Sequence, residues 1–169
     1  FFQYLKVIVV AIASASSVVI GKSIGQGDRN EVKAVGRTLS VIDISIGIIL
    51  AIVLLILRKP LLSMYNLTEE ATILADHLMI VMSVVMVGMS YQMPTNNGII
   101  RGGGSPQIVA KIDIISIWGI VLPISFLAAF VFKASPQIVV CCLNADQWFK
   151  CIPAFLIVNY GKWIRKLTR

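Results

Sequence analysis

Asn97-Gly98-Ile99-Ile100-Arg101-Gly102-Gly103-Gly104 lies between two apolar stretches, each long enough to cross a membrane. Glycine lets a backbone turn tightly where a Cβ would clash, and a lone Arg at the end of an apolar helix holds that end at the membrane surface. The run therefore reads as a membrane hinge and not as a catalytic loop. On its N-terminal side, Leu78 to Ile100 carries no charge before Arg101; on its C-terminal side, Ile112 to Phe132 carries only Asp113.

The rest of the chain repeats this pattern. It is 57% hydrophobic and 14% charged, with a mean hydropathy of +0.88, whereas soluble domains carry about 25% charged residues. Roughly 20 apolar residues cross about 30 Å of hydrocarbon as a helix. By that measure the expected fold is all-α, a polytopic transmembrane bundle of about five spans at residues 1–20, 38–57, 78–100, 112–132 and 135–157. Arg58-Lys59-Pro60 is expected to close the second span, because proline does not continue a helix. Asp146, Lys150 and Pro153 interrupt the fifth.

The formal charge is +7, but the Lys and Arg residues are scattered between apolar spans, without the basic face interleaved with aromatics that nucleic acid requires. They read as topology signals. Lys22, Arg29, Lys33 and Arg37 in the Gly21–Arg37 loop, Arg101 and Lys111 in the next inner loop, and Lys162, Arg165, Lys166 and Arg169 in the tail place those segments in the cytoplasm. The N-terminus then faces out. The chain begins at Phe1 and shows no basic, apolar and small-residue leader pattern, which suggests that it is cut from something longer. Cys141, Cys142 and Cys151 have no metal-type spacing to His77 and read as small buried residues. No nucleophile and base pair, zinc cluster or suitable carboxylate pair supports an enzyme, a metal site or a catalytic residue.

Several polar features carry two readings. Gly21 and Gly25 form a G-x-x-x-G that permits close helix approach; the phosphate-loop alternative lacks both the preceding strand and the full Walker order, since Ser16 stands where the first glycine before Gly21-Lys22-Ser23 would be. Asp43 and Asp113 are intramembrane acids, functional by default, with interfacial pairing to Arg37 and Lys111 as the plainer alternative. Asp76 and His77 open the third span near Glu69 and Glu70, where they either serve a coupling ion or end a helix in water. Asp146 and Lys150, four apart, share a helix face and can neutralise each other. Gly119 and Pro123 allow a bend in the fourth span. Met79, Met82, Met86, Met89 and Met93 form one stripe, suited to apolar ligands or to helix packing.

Taken in order, Ile20-Gly21-Lys22-Ser23-Ile24-Gly25-Gln26-Gly27-Asp28, Asn97 to Gly104, the trio Asp113, Trp118 and Pro123, and the ending Lys162-Trp163-Ile164-Arg165-Lys166-Leu167-Thr168 resemble the C-terminal lobe of the multidrug and toxic compound extrusion (MATE) transporters. Ser105 stands where that family commonly has an acidic residue. The resemblance covers nearly the whole chain and implies twelve helices in two lobes, of which these spans look like helices eight to twelve, with the N-terminal lobe and one helix missing. It further implies a multi-pass plasma-membrane protein that exports small organic cations against Na⁺ or H⁺, needs no other cofactor, and has the lipid bilayer and the missing lobe as partners. Asp76 and Asp146 are the acids in the spans where some family members place coupling carboxylates; Gly21, Gly25, Gly102, Gly103, Gly104 and Pro123 are the hinge and packing positions. The alternatives are a lipid-linked oligosaccharide flippase of the same superfamily, with basic residues lining the cavity, and a truncated, non-transporting membrane protein.

Overall fold

Asp28 and Thr68 set where two of the long helices begin. The Asp28 carboxylate accepts a hydrogen bond from the Asn30 amide at 2.8 Å and the Thr68 hydroxyl one from Ala71 at 3.4 Å, satisfying donors that a helix start leaves open. Glu69 and Glu70 then complement the helix dipole in the first turn. The computed structural model describes residues 2–26, 28–65 and 68–165. Its elements are α1 (Phe2–Gln26), α2 (Arg29–Ser63), α3 (Glu69–Met93) continued as a π-helical stretch Pro94–Ile100, and α4 (Pro106–Ser116). A π-helical stretch Ile117–Val121, α5 (Leu122–Phe126) and a further π-helical stretch Leu127–Val131 extend α4. The short helices α6 (Pro136–Leu143), α7 (Ala145–Phe149) and α8 (Cys151–Tyr160) complete the described chain.

Four continuous helices, Phe2–Gln26, Arg29–Ser63, Glu69–Ile100 and Pro106–Val131, are long and apolar enough to cross a membrane. This is an all-α integral membrane bundle. The fifth expected span, 135–157, is instead broken at Asn144 and Lys150 into α6, α7 and α8. The expected Gly21–Arg37 loop shrinks as well, because α1 runs to Gln26 and α2 starts at Arg29; Gly27 lies outside the described residues. Nor does Pro60 end α2, which continues to Ser63. So close to a helix end, proline removes a bond at carbonyls that are already running out of partners.

Two apolar clusters hold the bundle. Ile20, Val32, Ile99, Ile100, Val109, Val158 and Trp163 form one; Leu5, Val9, Leu50, Ala51, Leu54 and Met86 form the other. Close backbone approach is confined to particular glycines. A Cβ on Gly98 would lie 2.6 Å from the Ala13 carbonyl oxygen, which locks α1 against the π-helical end of α3. A Cβ on Gly103 would collide with the Trp163 ring. That indole is fully buried, donates to the Val158 carbonyl at 3.2 Å, and its own carbonyl accepts from the Ser105 hydroxyl at 2.8 Å. Arg165 then donates its amide to the Gly103 carbonyl at 2.8 Å, strapping the end of the chain over the hinge. Lys166 to Arg169, expected as part of the inner basic tail, lie outside the described residues.

The hinge positions thus divide. Gly102 and Gly103 are tightly packed, Gly104 turns with φ of 86°, and Pro123 sits between the two π-helical stretches that absorb its missing hydrogen bond. Gly21 and Gly25, expected to bring helices close, have no described atom within 4 Å of an added Cβ. They lie on the exposed face of α1, while Ile20, Ser23 and Ile24 face the bundle.

Candidate functional site

Gly88 is what lets α7 reach α3. The Trp148 ring lies 3.2 Å from where a Gly88 Cβ would stand, and the Cys151 thiol sits 3.4 Å from the Gly88 carbonyl oxygen and 3.0 Å from that of Gln147. This docking carries Asp146, Gln147 and Lys150 inward to the polar face of α3. Pro106 at the first turn of α4 starts that helix, and Asp113 two turns later faces the same point.

The centre is one ammonium shared by two carboxylates. Lys150 Nζ lies 2.8 Å from Asp113 Oδ1 and 2.9 Å from Asp146 Oδ2. The Lys150 and Asp146 side chains are 8% and 12% exposed, while that of Asp113 is 44% exposed. A chain of amides holds the inner carboxylate: Asn96 donates to Gln92 at 3.2 Å, Gln92 to Gln147 at 2.7 Å, and Gln147 to Asp146 Oδ1 at 2.9 Å. The triad has an excess of one negative charge. Beside it opens a cavity of about 350 Å³ whose wall includes Met82, Met89, Met93, Gln92, Asp113 and Lys150, with Lys6 also at its margin. An anionic centre beside polarisable thioethers and amides can hold a cation with an apolar body.

The structure separates the two acids expected to couple transport. Asp146 is in this centre, but Asp76 binds Arg58 at 3.3 Å at the opposite end of α3. Sixteen residues separate Asp76 from Gln92, about 24 Å of helix. Asp76 and His77 line a separate open pocket of about 570 Å³ with Lys59 and Tyr65, and the His77 ring nitrogen Nδ1 meets Gln137 at 3.2 Å.

Three other expectations need correction. Asp113 pairs with Lys150 and not Lys111, since residues two apart project about 200° from each other around a helix. Among the described residues Asp43 has no hydrogen-bond partner, and Arg37 instead donates to the Asn159 carbonyl at 3.4 Å; six residues place those two side chains about 120° apart around the helix. Of the cysteines expected to be buried, Cys141 is exposed. The methionine stripe splits: Met86 is fully buried in an apolar cluster and Met79 packs on it, while Met82, Met89 and Met93 reach the cavity. Sequence reasoning also missed Gln92, Asn96 and Gln147. The signal was there in Gln92 and Asn96, two amides one turn apart in an otherwise apolar span.

Residues 1–127 match the sequence profile of the MatE family. The match takes in α1 to α5, including Asp113, and stops short of Asp146 and Lys150. Among curated proteins, the chain is similar to the multidrug resistance protein MdtK of Edwardsiella ictaluri (strain 93-146), at 25% identity over 136 residues, or 80% of this chain. The chain spans about 30% of the length of that relative. No solved structure matches it.

Proposed function

The chain belongs to the MatE family, and from that premise we propose that it forms the C-terminal transmembrane part of a cation-coupled multidrug efflux antiporter of the plasma membrane. It is a transport component and not an enzyme. Its substrates are small organic cations, exchanged for Na⁺ or H⁺ across a cavity completed by an N-terminal lobe. The observation that carries the reading is the Lys150 ammonium held between Asp113 and Asp146 at the wall of a methionine-lined cavity.

That arrangement suits exchange. A carboxylate in excess of the ammonium, within a membrane-spanning bundle, is costly unless a further cation neutralises it. An organic cation and a coupling ion therefore compete for the same negative charge, and occupancy by one displaces the other. Binding can shift the bundle between two arrangements only to the extent that it favours one of them, and the proline and π-helical turns of the α4–α5 stretch offer a place for the helix to bend. We assign coupling to Asp146 together with Asp113; Asp76, neutralised by Arg58, serves the outer end of the bundle. The oligosaccharide flippase reading requires free basic groups in the cavity; Lys150 is already engaged by two acids, which leaves Lys6 as the other basic residue lining it.

The test is growth on ethidium of efflux-deficient cells that express the chain alone, or together with an N-terminal lobe of the family. Resistance is expected from the pair and not from the chain alone. Resistance conferred by the chain alone refutes the two-lobe account.

A further inference from the structure

Between the two apolar clusters runs a polar belt that the cavity does not use. On α2 it comprises Ser40 and Asp43; on α3 and its π-helical continuation, Ser90, Tyr91, Thr95 and Asn96, all of them buried. Asp43 is 1% exposed, and neither of its carboxylate oxygens has a hydrogen-bond partner among the described residues. Ser90 Oγ, Thr95 Oγ1 and Asn96 Oδ1 in the same belt are also unpartnered.

The groups around it offer no counter-charge. From α3, Tyr91 lies near Asp43 and the Ser40 hydroxyl, and Cys151 of α8 also lies near Tyr91. The Pro94–Ile100 stretch carries no titratable residue, and α1 has none between Lys6 and Lys22. Arg37, the nearest cation on α2 itself, is bound to the Asn159 carbonyl. An ionised carboxylate in such surroundings is far more costly than a neutral one. Space decides which cation neutralises it. One turn from Asp43, a Cβ on Gly47 would lie 2.6 Å from Ser90 Cβ and 3.2 Å from its hydroxyl oxygen, so α2 and α3 are in direct contact there. A proton fits between touching helices without parting them.

We propose that Asp43 is a proton-binding site: a neutral carboxylic acid while α2 and α3 are packed, which releases its proton to water when the two helices separate. In that step the carboxyl O–H bond breaks, the proton passes to a water molecule, and the carboxylate remains with its charge hydrated. The binding site stands on the geometry alone; its use in coupling rests on the exporter reading. Asp43 is then a second titrating position, distinct from the Lys150 centre, whose occupancy reports helix separation.

Infrared spectroscopy of the 169-residue chain in lipid nanodiscs, with aspartate labelled at the side-chain carbonyl carbon, tests this. At neutral pH the wild type is expected to show a protonated-carboxyl stretch that shifts with the label and on exchange into D₂O, and that disappears in Asp43→Asn. Adding Na⁺ should leave it unchanged. The proposal is overturned if no such band exists in the wild type, if the band persists in Asp43→Asn, or if Na⁺ abolishes it, which would identify a metal cation site. Should Asp43→Asn fail to insert, Asp43→Ser supplies the same comparison, and the labelled wild-type band already decides whether a buried acid is protonated. The measurement needs neither substrate nor gradient. A missing band therefore leaves the exporter reading standing, and a failure of transport leaves the proton site standing.

Discussion

Removing Lys150 and removing Asp146 should have very different consequences, because the ammonium has two counter-charges and Asp146 has one. In Lys150→Gln, both acids lose their counter-charge. Breaking a buried pair by deleting one member costs about 3–5 kcal/mol, and since Asp113 is 44% exposed and can be hydrated, the low end, about 3 kcal/mol, applies. In Asp146→Asn, Lys150 keeps Asp113 at 2.8 Å and the amide oxygen still accepts from Gln147. The loss is then one charge-assisted bond, about 1.5 kcal/mol. At roughly 2–4 °C per kcal/mol for a chain of this size, the two variants should melt about 6–12 °C and 3–6 °C below wild type. The double variant leaves only the half-wet Asp113 uncompensated and should lose about 2 kcal/mol, less than the sum of the singles. Thermal unfolding in detergent, followed by tryptophan fluorescence, reads all three. An Asp146→Asn loss as large as that of Lys150→Gln, or an additive double variant, would refute the shared-ammonium description.

Further outcomes follow from the same geometry. Gly103→Ala should cost about 1–3 kcal/mol through displacement of the Trp163 ring, whereas Gly21→Ala, with no described atom near the new methyl, should be neutral or gain up to about 1 kcal/mol of helix propensity; paired thermal melts check both. Asp76→Asn should lower stability by about 1 kcal/mol or less, because the Arg58 pair is partly solvated at 23% and 29% exposure, and should leave cation binding intact in a filter assay. With the native cysteines replaced, single cysteines at the exposed positions Asn30 and Gln107 should resist an impermeant thiol reagent added outside intact cells; labelling at either site contradicts the inner placement of those segments.

The membrane bundle was legible because hydrophobic run length is read directly from the chain, and the hinge because glycine and proline mark backbone needs that no other residue meets. Trp163 belongs to a motif that was recognised, but its seat on Gly103 depends on a contact across sixty residues of chain. The Asp146–Lys150 half of the charged centre was visible for the opposite reason: the pair is local, four residues apart on one helix. Asp113 was assigned the wrong partner because pairing by nearness in sequence ignores the direction in which a helix projects each side chain. Asp43 shows the limit most clearly. Nothing in its neighbourhood of sequence reveals that α2 turns it onto α3, where it faces hydroxyls and no cation.

Equilibrium binding of a fluorescent organic cation such as ethidium to the reconstituted chain, with and without Asp113→Asn/Asp146→Asn, most directly tests whether the Lys150 centre is a cation site. With both acids neutral, Lys150 is the only charge left at the centre. Losing at least one charge-assisted contact should then weaken binding by roughly tenfold or more, while Asp76→Asn, about 24 Å away along α3, should bind as the wild type does. Unchanged affinity in the doubly neutral variant, or an equal loss in Asp76→Asn, would contradict the account.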